Sequence, residues 1–332
     1  MEHLWRDYTS YLEQRYGRRV YRIGIDGGFS CPNRTQNRTG GCIYCDAKGS
    51  SAVYQRNDER AFTRQSAFVE GIDELCHKAP PKTIEARKTS IGTQIERGSR
   101  FIDSRYTHAD KSIYFQAFTS TFESIETLRE LYDYALNTGT YTEFIVSTRP
   151  DCVSDDVIQL LASYRDKVST VCVELGLQSG NDATLNWIGR GHTVADFRSA
   201  TNRLHEAHME VSAHIILGFP YEGDAEIDRT AEVITQTHPE AIKIHNLHVV
   251  AGTRLYELFQ REPFSVSTRE EHVRQTIRLL RHIPSDIVIQ RFISDTPSHR
   301  LAAPRDFGDK NQFLSALRNE MIRLGAVQGD SL

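Results

Sequence analysis

The chain has 332 residues, of which 39% are hydrophobic and 25% are charged, so it is an ordinary folded protein and not a small disulfide-stapled scaffold. Its formal net charge is only −4, from 40 Lys and Arg against 44 Asp and Glu, which excludes a uniformly basic nucleic-acid binder. The N-terminal sequence MEHLWRDYTS is unlike a signal peptide, and no later stretch approaches about 18 consecutive apolar residues. We therefore expect a cytoplasmic protein without a membrane partner, whose six cysteines are reduced thiols.

Charge is unevenly distributed along the chain. Residues 1–64 contain 11 basic and 7 acidic side chains, and residues 80–112 and 269–305 contain 7 basic and 4 acidic side chains each. Residues 151–268 contain 9 basic and 17 acidic side chains. Because these excesses are diffuse and contain no run of like charges, solvated helix faces explain them better than a polyanion-binding groove.

Short β-rich segments alternate with helical patterns along most of the chain. The pattern predicts strands at residues 19–25, 112–118, 143–147, 170–177, 210–217 and 241–248. It predicts helices at residues 154–164, 193–207 and 310–324, a further helix before the first strand, and a strand-like tail segment at 287–292. Residues 78–81 and 98–110 are predicted to be irregular.

Six strand–helix units in series require parallel strands joined by right-handed crossovers. A complete eight-unit barrel would need two more units. We therefore predict an α/β fold, an incomplete (β/α)6 barrel with an N-terminal helix and a C-terminal α/β extension. Residues 1–264 would form the barrel and residues 265–332 the extension. Ligands in such sheets bind at the carboxyl ends of the strands, so the residues that follow each strand are the functional candidates.

Three cysteines, Cys31, Cys42 and Cys45, lie in one loop after the first predicted strand. The CxxC pair lets two sulfurs reach one metal centre, and Gly40 and Gly41 let the backbone approach a bulky inorganic group. Three thiols suit a cluster with three protein ligands and one external ligand, whereas a closed zinc site would need four protein ligands. A thioredoxin-type dithiol would explain Cys42 and Cys45 but not Cys31.

The cysteine motifs CPNR and GGCIYC resemble those of radical S-adenosylmethionine enzymes, and in particular the YhcC/YtqA-type subfamily. That subfamily is related to the radical half of the Elongator catalytic subunit and, more distantly, to oxygen-independent coproporphyrinogen oxidases. The spacing C-x10-C-x2-C departs from the usual CxxxCxxC of the superfamily. The resemblance covers roughly residues 16–324, and its further motifs are YFQAFTSTF, STRPDC, VELGLQSGNDATLNWIGRGHT, HIILGFP and IKIHNLHVVAGT.

The resemblance implies two cofactors. Cys31, Cys42 and Cys45 would ligate a 4Fe-4S cluster whose fourth iron binds S-adenosylmethionine. Tyr44 would lie near the adenine, although packing of a loop aromatic explains this residue equally well. Further implied contacts with S-adenosylmethionine are Gln116 and Thr119 at the methionine amino group, Ser147 and Arg149 at the ribose, Glu174, Gln178 and Arg190 at the ribose and methionine ends, and His214 at the ribose.

Some of these candidates have alternatives. Relatives use a glycine-rich turn where this chain has Gln116 and Thr119, and a hydrogen-bonded strand-end histidine would explain His214. Arg190 suits the methionine carboxylate because a guanidinium forms bidentate, charge-assisted hydrogen bonds. Outside the loop, Cys76, Cys152 and Cys172 share no ligand-like spacing, although Cys152 could be reactive. His245 and His248 alternate with apolar neighbours and are candidates for substrate contact or proton transfer.

The implied reaction is the reductive cleavage of S-adenosylmethionine to methionine and a 5′-deoxyadenosyl radical, which then abstracts a hydrogen atom. A low-potential electron donor of the flavodoxin or ferredoxin type would supply the electron. The relationship to Elongator suggests tRNA as a partner, with modification of the wobble uridine, and the basic segments are compatible with phosphate contacts. Two alternatives stay open: a radical enzyme that acts on a small molecule, with residues 80–112 as a lid, and a non-catalytic iron–sulfur or zinc binding factor.

Overall fold

The computed structural model describes residues 4–35, 40–46 and 83–332. The irregular segment predicted at 78–81 and the cysteine at position 76 lie outside these residues. The strands of the main sheet span Val20–Ile25 (β1), Asp110–Phe115 (β2), Glu143–Thr148 (β3), Thr170–Gln178 (β4), Glu210–Leu217 (β5), Ala241–Asn246 (β6) and Val288–Arg291 (β8). These seven described strands are all parallel and follow the order β1-β2-β3-β4-β5-β6-β8.

The predicted α/β fold, an incomplete (β/α)6 barrel with added N- and C-terminal elements, is confirmed. Six parallel strands lie in chain order, and the tail segment predicted at 287–292 supplies the seventh strand, beside β6. A two-residue strand β7 (Val249–Val250) pairs with β9 (Leu301–Ala303) in a separate antiparallel ribbon. The division of the chain into residues 1–264 and 265–332 stays a prediction.

Most of the helices begin at a residue whose side chain accepts a hydrogen bond from a first-turn N–H, as Asp7, Ser124 and Ser154 do. The helices span Tyr8–Tyr16 (α1), Ile84–Asp103 (α2), Ile125–Leu136 (α3), Asp155–Ala162 (α4), Asp182–Trp187 (α5), Val194–Glu206 (α6), Asp224–Thr237 (α7), Arg254–Arg261 (α8), Arg269–Arg281 (α9) and Lys310–Leu324 (α10). In the described part of the chain, none of them combines the length and apolar character needed to cross a lipid bilayer.

The irregular segment predicted at 98–110 is wrong over its first residues, because α2 continues through Gly98 as far as Asp103. Gly in a helix interior costs about 1 kcal/mol relative to Ala. Here the apolar stripe of Ile91, Ile95 and Ile102 is buried in the core, and this burial outweighs the cost of the glycine. The described part of the 80–112 segment packs on β1 and α3 and is not a separate lid.

The first helix, α1, covers the amino ends of the central strands. Tyr16 hydrogen-bonds the Thr170 hydroxyl at 2.7 Å and donates to Glu143 at 3.3 Å, and these two residues begin β4 and β3. Arg15 forms an ion pair with Glu210, the first residue of β5. Ligands therefore have access to the barrel interior from the carboxyl ends of the strands, here called the barrel mouth.

Candidate cofactor site at the barrel mouth

The described parts of the cysteine loop, residues 26–35 and 40–46, follow the carboxyl end of β1 and are fixed at several points. Its Ile43 N–H donates to the Ile188 carbonyl at 2.9 Å, and the Ile43 carbonyl accepts from the Leu255 N–H at 2.8 Å. Gly40 and Gly41 have φ values of +84° and +113°, which favour glycine. A Cβ on Gly41 would lie 2.8 Å from Arg34 Nε, so this glycine also admits the Arg34 side chain.

Cys42 lies against a buried guanidinium. Arg190 Nη1 is 3.8 Å from Cys42 Sγ, and Asn33 Nδ2 is 3.5 Å from the same sulfur. Burial raises the pKa of the Cys42 thiol, but Arg190 and Asn33 outweigh it and hold that pKa below its ordinary value. For Cys45, burial is the largest effect and raises the thiol pKa. The loop therefore contains one thiol that is stabilised as the thiolate by a fixed positive charge.

Arg190 is held in place from the β4 side. Its Nη2 donates to the Gly176 carbonyl at 3.1 Å and its Nε donates to His192 Nε2 at 2.8 Å. A Cβ on Gly176 would lie 2.3 Å from Arg190 Nη2 and 2.4 Å from Gln178 Nε2, so glycine is required for both side chains to approach the strand here. Gln178 itself has φ +71°, at an irregularity in the β4–β5 ladder, and such left-handed conformations of non-glycine residues recur at functional sites.

The three thiols of the cysteine loop lie in one region of the structure. Cys31 and Cys42 both raise the pKa of Cys45 electrostatically, which shows that the thiols share one region. Across residues 4–35, 40–46 and 83–332, no three His, Cys, Asp or Glu side chains form a ligand set for a metal ion. A cubane cluster binds each thiolate through a different iron, so its ligands need not converge on one point, and Cys31, Cys42 and Cys45 are the residues that could hold it.

Arg149 adds a second guanidinium near the loop. Its Nε and Nη2 bind the carboxylate of Asp151, each at 2.8 Å, while its buried Nη1 has no hydrogen-bond partner among the described residues.

The other predicted contacts near the loop are Tyr44, Gln116 and Thr119. Tyr44 packs edge-on against Phe219, with ring centroids 6.4 Å apart. The backbone N–H groups of Gln116 and Thr119 bind the carbonyls of Ile25 and Ser30, at 3.2 and 3.1 Å, and so tie the end of β2 to the cysteine loop.

Three other predicted residues come together below the mouth, around the carboxylate of Glu174. Glu174 has a fully buried side chain. Its carboxylate accepts from Ser147 Oγ at 3.1 Å and lies 2.8 Å from His214 Nε2. The remaining donors are Arg22 at 2.6 Å, Lys243 at 2.6 Å to both oxygens, and Tyr114. We call the six residues Arg22, Tyr114, Ser147, Glu174, His214 and Lys243 the Glu174 cluster, and each comes from a different strand, β1 to β6.

Only three members of the Glu174 cluster were predicted as site residues, each as a separate cofactor contact, and Arg22, Tyr114 and Lys243 were missed. The missed signal is a charged side chain between apolar residues of a β-run, as with Arg22 in VYRIGI and Lys243 in AIKIHN. The contact expected between Glu174 and the cofactor stays a prediction, and to make it the carboxylate would have to release a donor. Burial raises the pKa of Glu174, but Lys243 and Arg22 outweigh this and bring it well below its ordinary value. Burial lowers the pKa of Lys243 to about 7.

His245 lies in β6, two residues after Lys243, and His248 follows the end of β6 at the mouth. The His245 ring lies 5.5 Å from the His214 ring, and its Nδ1 is 3.2 Å from Ser294 Oγ. His248 Nδ1 is 2.9 Å from Thr296 Oγ1. A cavity of about 840 Å³ opens at the ends of β6 and β8, and its polar lining includes His248, Arg291, Ser294, Thr296, Arg305 and Lys310.

The two described cysteines outside the loop have unreactive environments. Burial raises the pKa of Cys152 to about 12, and Cys172 is enclosed with Tyr114 and Ile145, where burial raises its thiol pKa as well. A thiol reacts as the thiolate, so neither environment favours a nucleophile. The expectation that Cys152 could be reactive therefore has no support in its surroundings.

Comparisons with known proteins agree with this fold. Residues 113–234 match the family model described as the radical SAM superfamily, and residues 239–323 match the radical SAM C-terminal domain. Protein YhcC of Escherichia coli K12 is 32% identical over 295 residues, which are 88% of this chain and 84% of YhcC. A tRNA uridine(34) acetyltransferase of Methanocaldococcus infernus is 31% identical over 162 residues, which are 43% of this chain and 29% of that protein.

A solved structure shares the architecture. The archaeal Elp3 of Methanocaldococcus infernus, with an N-terminal deletion (1-46), superposes with a TM-score of 0.63 at 20% identity. The superposed region covers 73% of this chain and 60% of the Elp3 chain. Sheet, cysteine loop and sequence matches together define a radical enzyme that uses a 4Fe-4S cluster and S-adenosylmethionine. The chain belongs to the radical SAM superfamily and, within it, groups with YhcC.

Proposed function

We propose that this radical SAM enzyme holds its cluster with Cys31, Cys42 and Cys45 and modifies the wobble uridine of tRNA. When bound, the cluster and S-adenosylmethionine supply a 5′-deoxyadenosyl radical that removes a hydrogen atom from the substrate. The observation that carries the cofactor part of the proposal is the position of Arg190 Nη1, 3.8 Å from Cys42 Sγ, inside a three-cysteine loop at the barrel mouth.

The chain's own residues would bind and orient the cofactors. Arg190 places a fixed positive charge beside Cys42, where an anionic cluster needs one. Arg149 has a spare buried donor at Nη1, and a guanidinium suits either a carboxylate or a ribose hydroxyl. The remaining contacts with S-adenosylmethionine in this proposal are those of Tyr44, Gln116, Thr119, Ser147, Glu174, Gln178 and His214. In this proposal the protein is cytoplasmic, and a low-potential flavodoxin or ferredoxin supplies the electron.

Support for tRNA comes from the relative named as a tRNA uridine(34) acetyltransferase, since position 34 is the wobble position. The match includes only part of each protein, so the substrate is carried over as a proposal. Residues 269–305 contain 7 basic and 4 acidic side chains, and the basic ones other than the buried Arg300 are compatible with contacts to a phosphate backbone.

A second candidate is a small-molecule substrate, and the cavity beside His248 favours it. Its volume of about 840 Å³ lies within the range of about 300–1,000 Å³ that is typical of small-molecule sites. A single nucleoside drawn out of an RNA strand would bind in the same cavity, so the tRNA proposal accounts for the cavity as well.

The test is anaerobic reconstitution with iron and sulfide, followed by dithionite and S-adenosylmethionine. We expect 5′-deoxyadenosine from the wild type, none from Cys42→Ala, and wild-type amounts from the matched control Cys152→Ala. Added tRNA should stimulate turnover and acquire a new modification at uridine 34, detected by nucleoside mass spectrometry. Turnover with a small molecule but not with tRNA would contradict the tRNA proposal, and full activity of Cys42→Ala would contradict the ligand assignment.

A further inference from the structure

The tail segment 294–303, here called the arm, runs from the barrel mouth to the cysteine loop. It begins at the end of β6, where the Ser294 N–H donates to Asn246 Oδ1 at 2.8 Å and Thr296 contacts His248. It then lies along β7, where the Ala251 N–H donates to the Arg300 carbonyl at 2.9 Å. The arm and β7 thus lie side by side, joined by backbone hydrogen bonds, beyond the carboxyl end of β6.

From this arm the Arg300 side chain reaches Asp46 and forms an ion pair with it. Asp46 follows Cys45 directly in the chain, whereas Arg300 lies in the C-terminal extension. The Arg300 side chain is only 3% exposed and that of Asp46 is 13% exposed. A pair so shielded from water is little screened by salt, and removal of either partner takes a buried ion pair away from the other.

Cys45 is therefore held from two sides. Arg34, within the cysteine loop, donates from Nη2 to the Cys45 carbonyl at 2.8 Å. Arg300, from the distant arm, binds the next residue. The backbone at Cys45 is thus anchored both within its own loop and from the arm, as a ligand position that must be preorganised requires.

We propose that Arg300 is a positioning residue for the cluster: through Asp46 it keeps Cys45 where it can act as a ligand. This inference rests on the proposed function, in which Cys45 ligates the cluster. It assigns to the C-terminal extension a task in building the cofactor site, in addition to its strand in the sheet.

The test uses Arg300→Met and the loop-side variant Asp46→Asn, with Arg300→Lys as the conservative change. The matched control is Arg323→Met, because Arg323 pairs with Glu320 on the surface of α10 and its side chain is 66% exposed. In the metal-free protein, the rate of Cys45 alkylation is measured by peptide mass spectrometry relative to the rate at Cys172. After reconstitution, iron retention is followed during a chelator challenge.

We expect the rate of Cys45 alkylation and the rate of iron loss to the chelator each to rise by about tenfold in Arg300→Met and Asp46→Asn. The reason is that loss of a buried partner favours local opening of the loop. Arg300→Lys should show a smaller rise, and Arg323→Met should match the wild type. If Arg300→Met fails to fold, Asp46→Asn tests the same contact from the loop. Wild-type alkylation and iron retention in the variants that fold would overturn the inference. A wild type that holds no cluster would instead overturn the proposed function, and the alkylation rates would still test the role of Arg300.

Discussion

Lys243 on β6 donates to both carboxylate oxygens of Glu174 on β4, each at 2.6 Å, across the interior of the barrel. Arg22 contributes a second positive charge at 2.6 Å from the same carboxylate. The Lys243–Glu174 pair is buried, so removal of either member costs more stability than removal of one member of a surface ion pair.

We expect Lys243→Met to lower the free energy of unfolding by about 3 kcal/mol, the lower end of the cost of breaking a buried pair, because Arg22 still compensates Glu174. Glu174→Gln should cost more, since it leaves two buried cations without their anion. Urea denaturation measures both. The exposed pair at Arg323 supplies the control, and its alanine variant should lose no more than about 1 kcal/mol. Equal losses at the two sites would contradict the role assigned to burial.

The same lysine predicts a pH dependence. Burial lowers the pKa of Lys243 in the folded protein to about 7, from its ordinary value of 10.5. Between these two pH values the unfolded chain binds more protons at Lys243 than the folded chain does, so this residue's contribution to stability rises with pH. We expect the unfolding free energy of the wild type minus that of Lys243→Met to increase from pH 7 toward pH 10. A difference that stays flat over this range would show that Lys243 keeps its ordinary pKa.

The close approach of Arg190 to Gly176 links β4 to the cysteine loop, so we expect a side chain at position 176 to disturb the cofactor site. An added Cβ would meet the ends of the Arg190 and Gln178 side chains, at 2.3 and 2.4 Å, so those side chains must move while the backbone is retained. We expect Gly176→Ala to cost about 1–3 kcal/mol of stability and to weaken binding of S-adenosylmethionine, measured by calorimetry. Gly223→Ala is the control, because its nearest atom would be 3.8 Å away. Unchanged cofactor binding in Gly176→Ala would show that the position of Arg190 is not required.

Gln328 joins the two ends of the described chain. Its Oε1 accepts from the Arg6 N–H at 3.0 Å, and its Nε2 donates to the carbonyls of Pro284 and Ile287 at 2.6 and 2.9 Å. Because Gln328→Ala removes three hydrogen bonds, one of them the buried bond to the Ile287 carbonyl, we expect a loss of about 1–3 kcal/mol in thermal or urea unfolding. The exposed Gln236→Ala should change stability by less than about 0.5 kcal/mol. A loss at Gln328 no larger than that at Gln236 would contradict this reasoning.

Much of the architecture could be predicted because strand patterns and crossover rules act locally. The six strands and their order followed from alternation, and the cysteine loop followed from its spacing. The Glu174 cluster could not be predicted, because its members meet only through strand register, as when Ser147 pairs with Glu174 and His214 with Lys243. The ion pair of Asp46 and Arg300 joins two loops far apart in the chain, and no local pattern marks such a contact.

The cover that α1 forms over the amino ends of β3, β4 and β5 has a kinetic consequence. Within the part of the chain that the structure describes, Arg15 and Tyr16 fill the end opposite the mouth. Ligands would then enter from the barrel mouth. If a large substrate binds there, we expect S-adenosylmethionine to bind before it and to be released after it, so that binding is ordered.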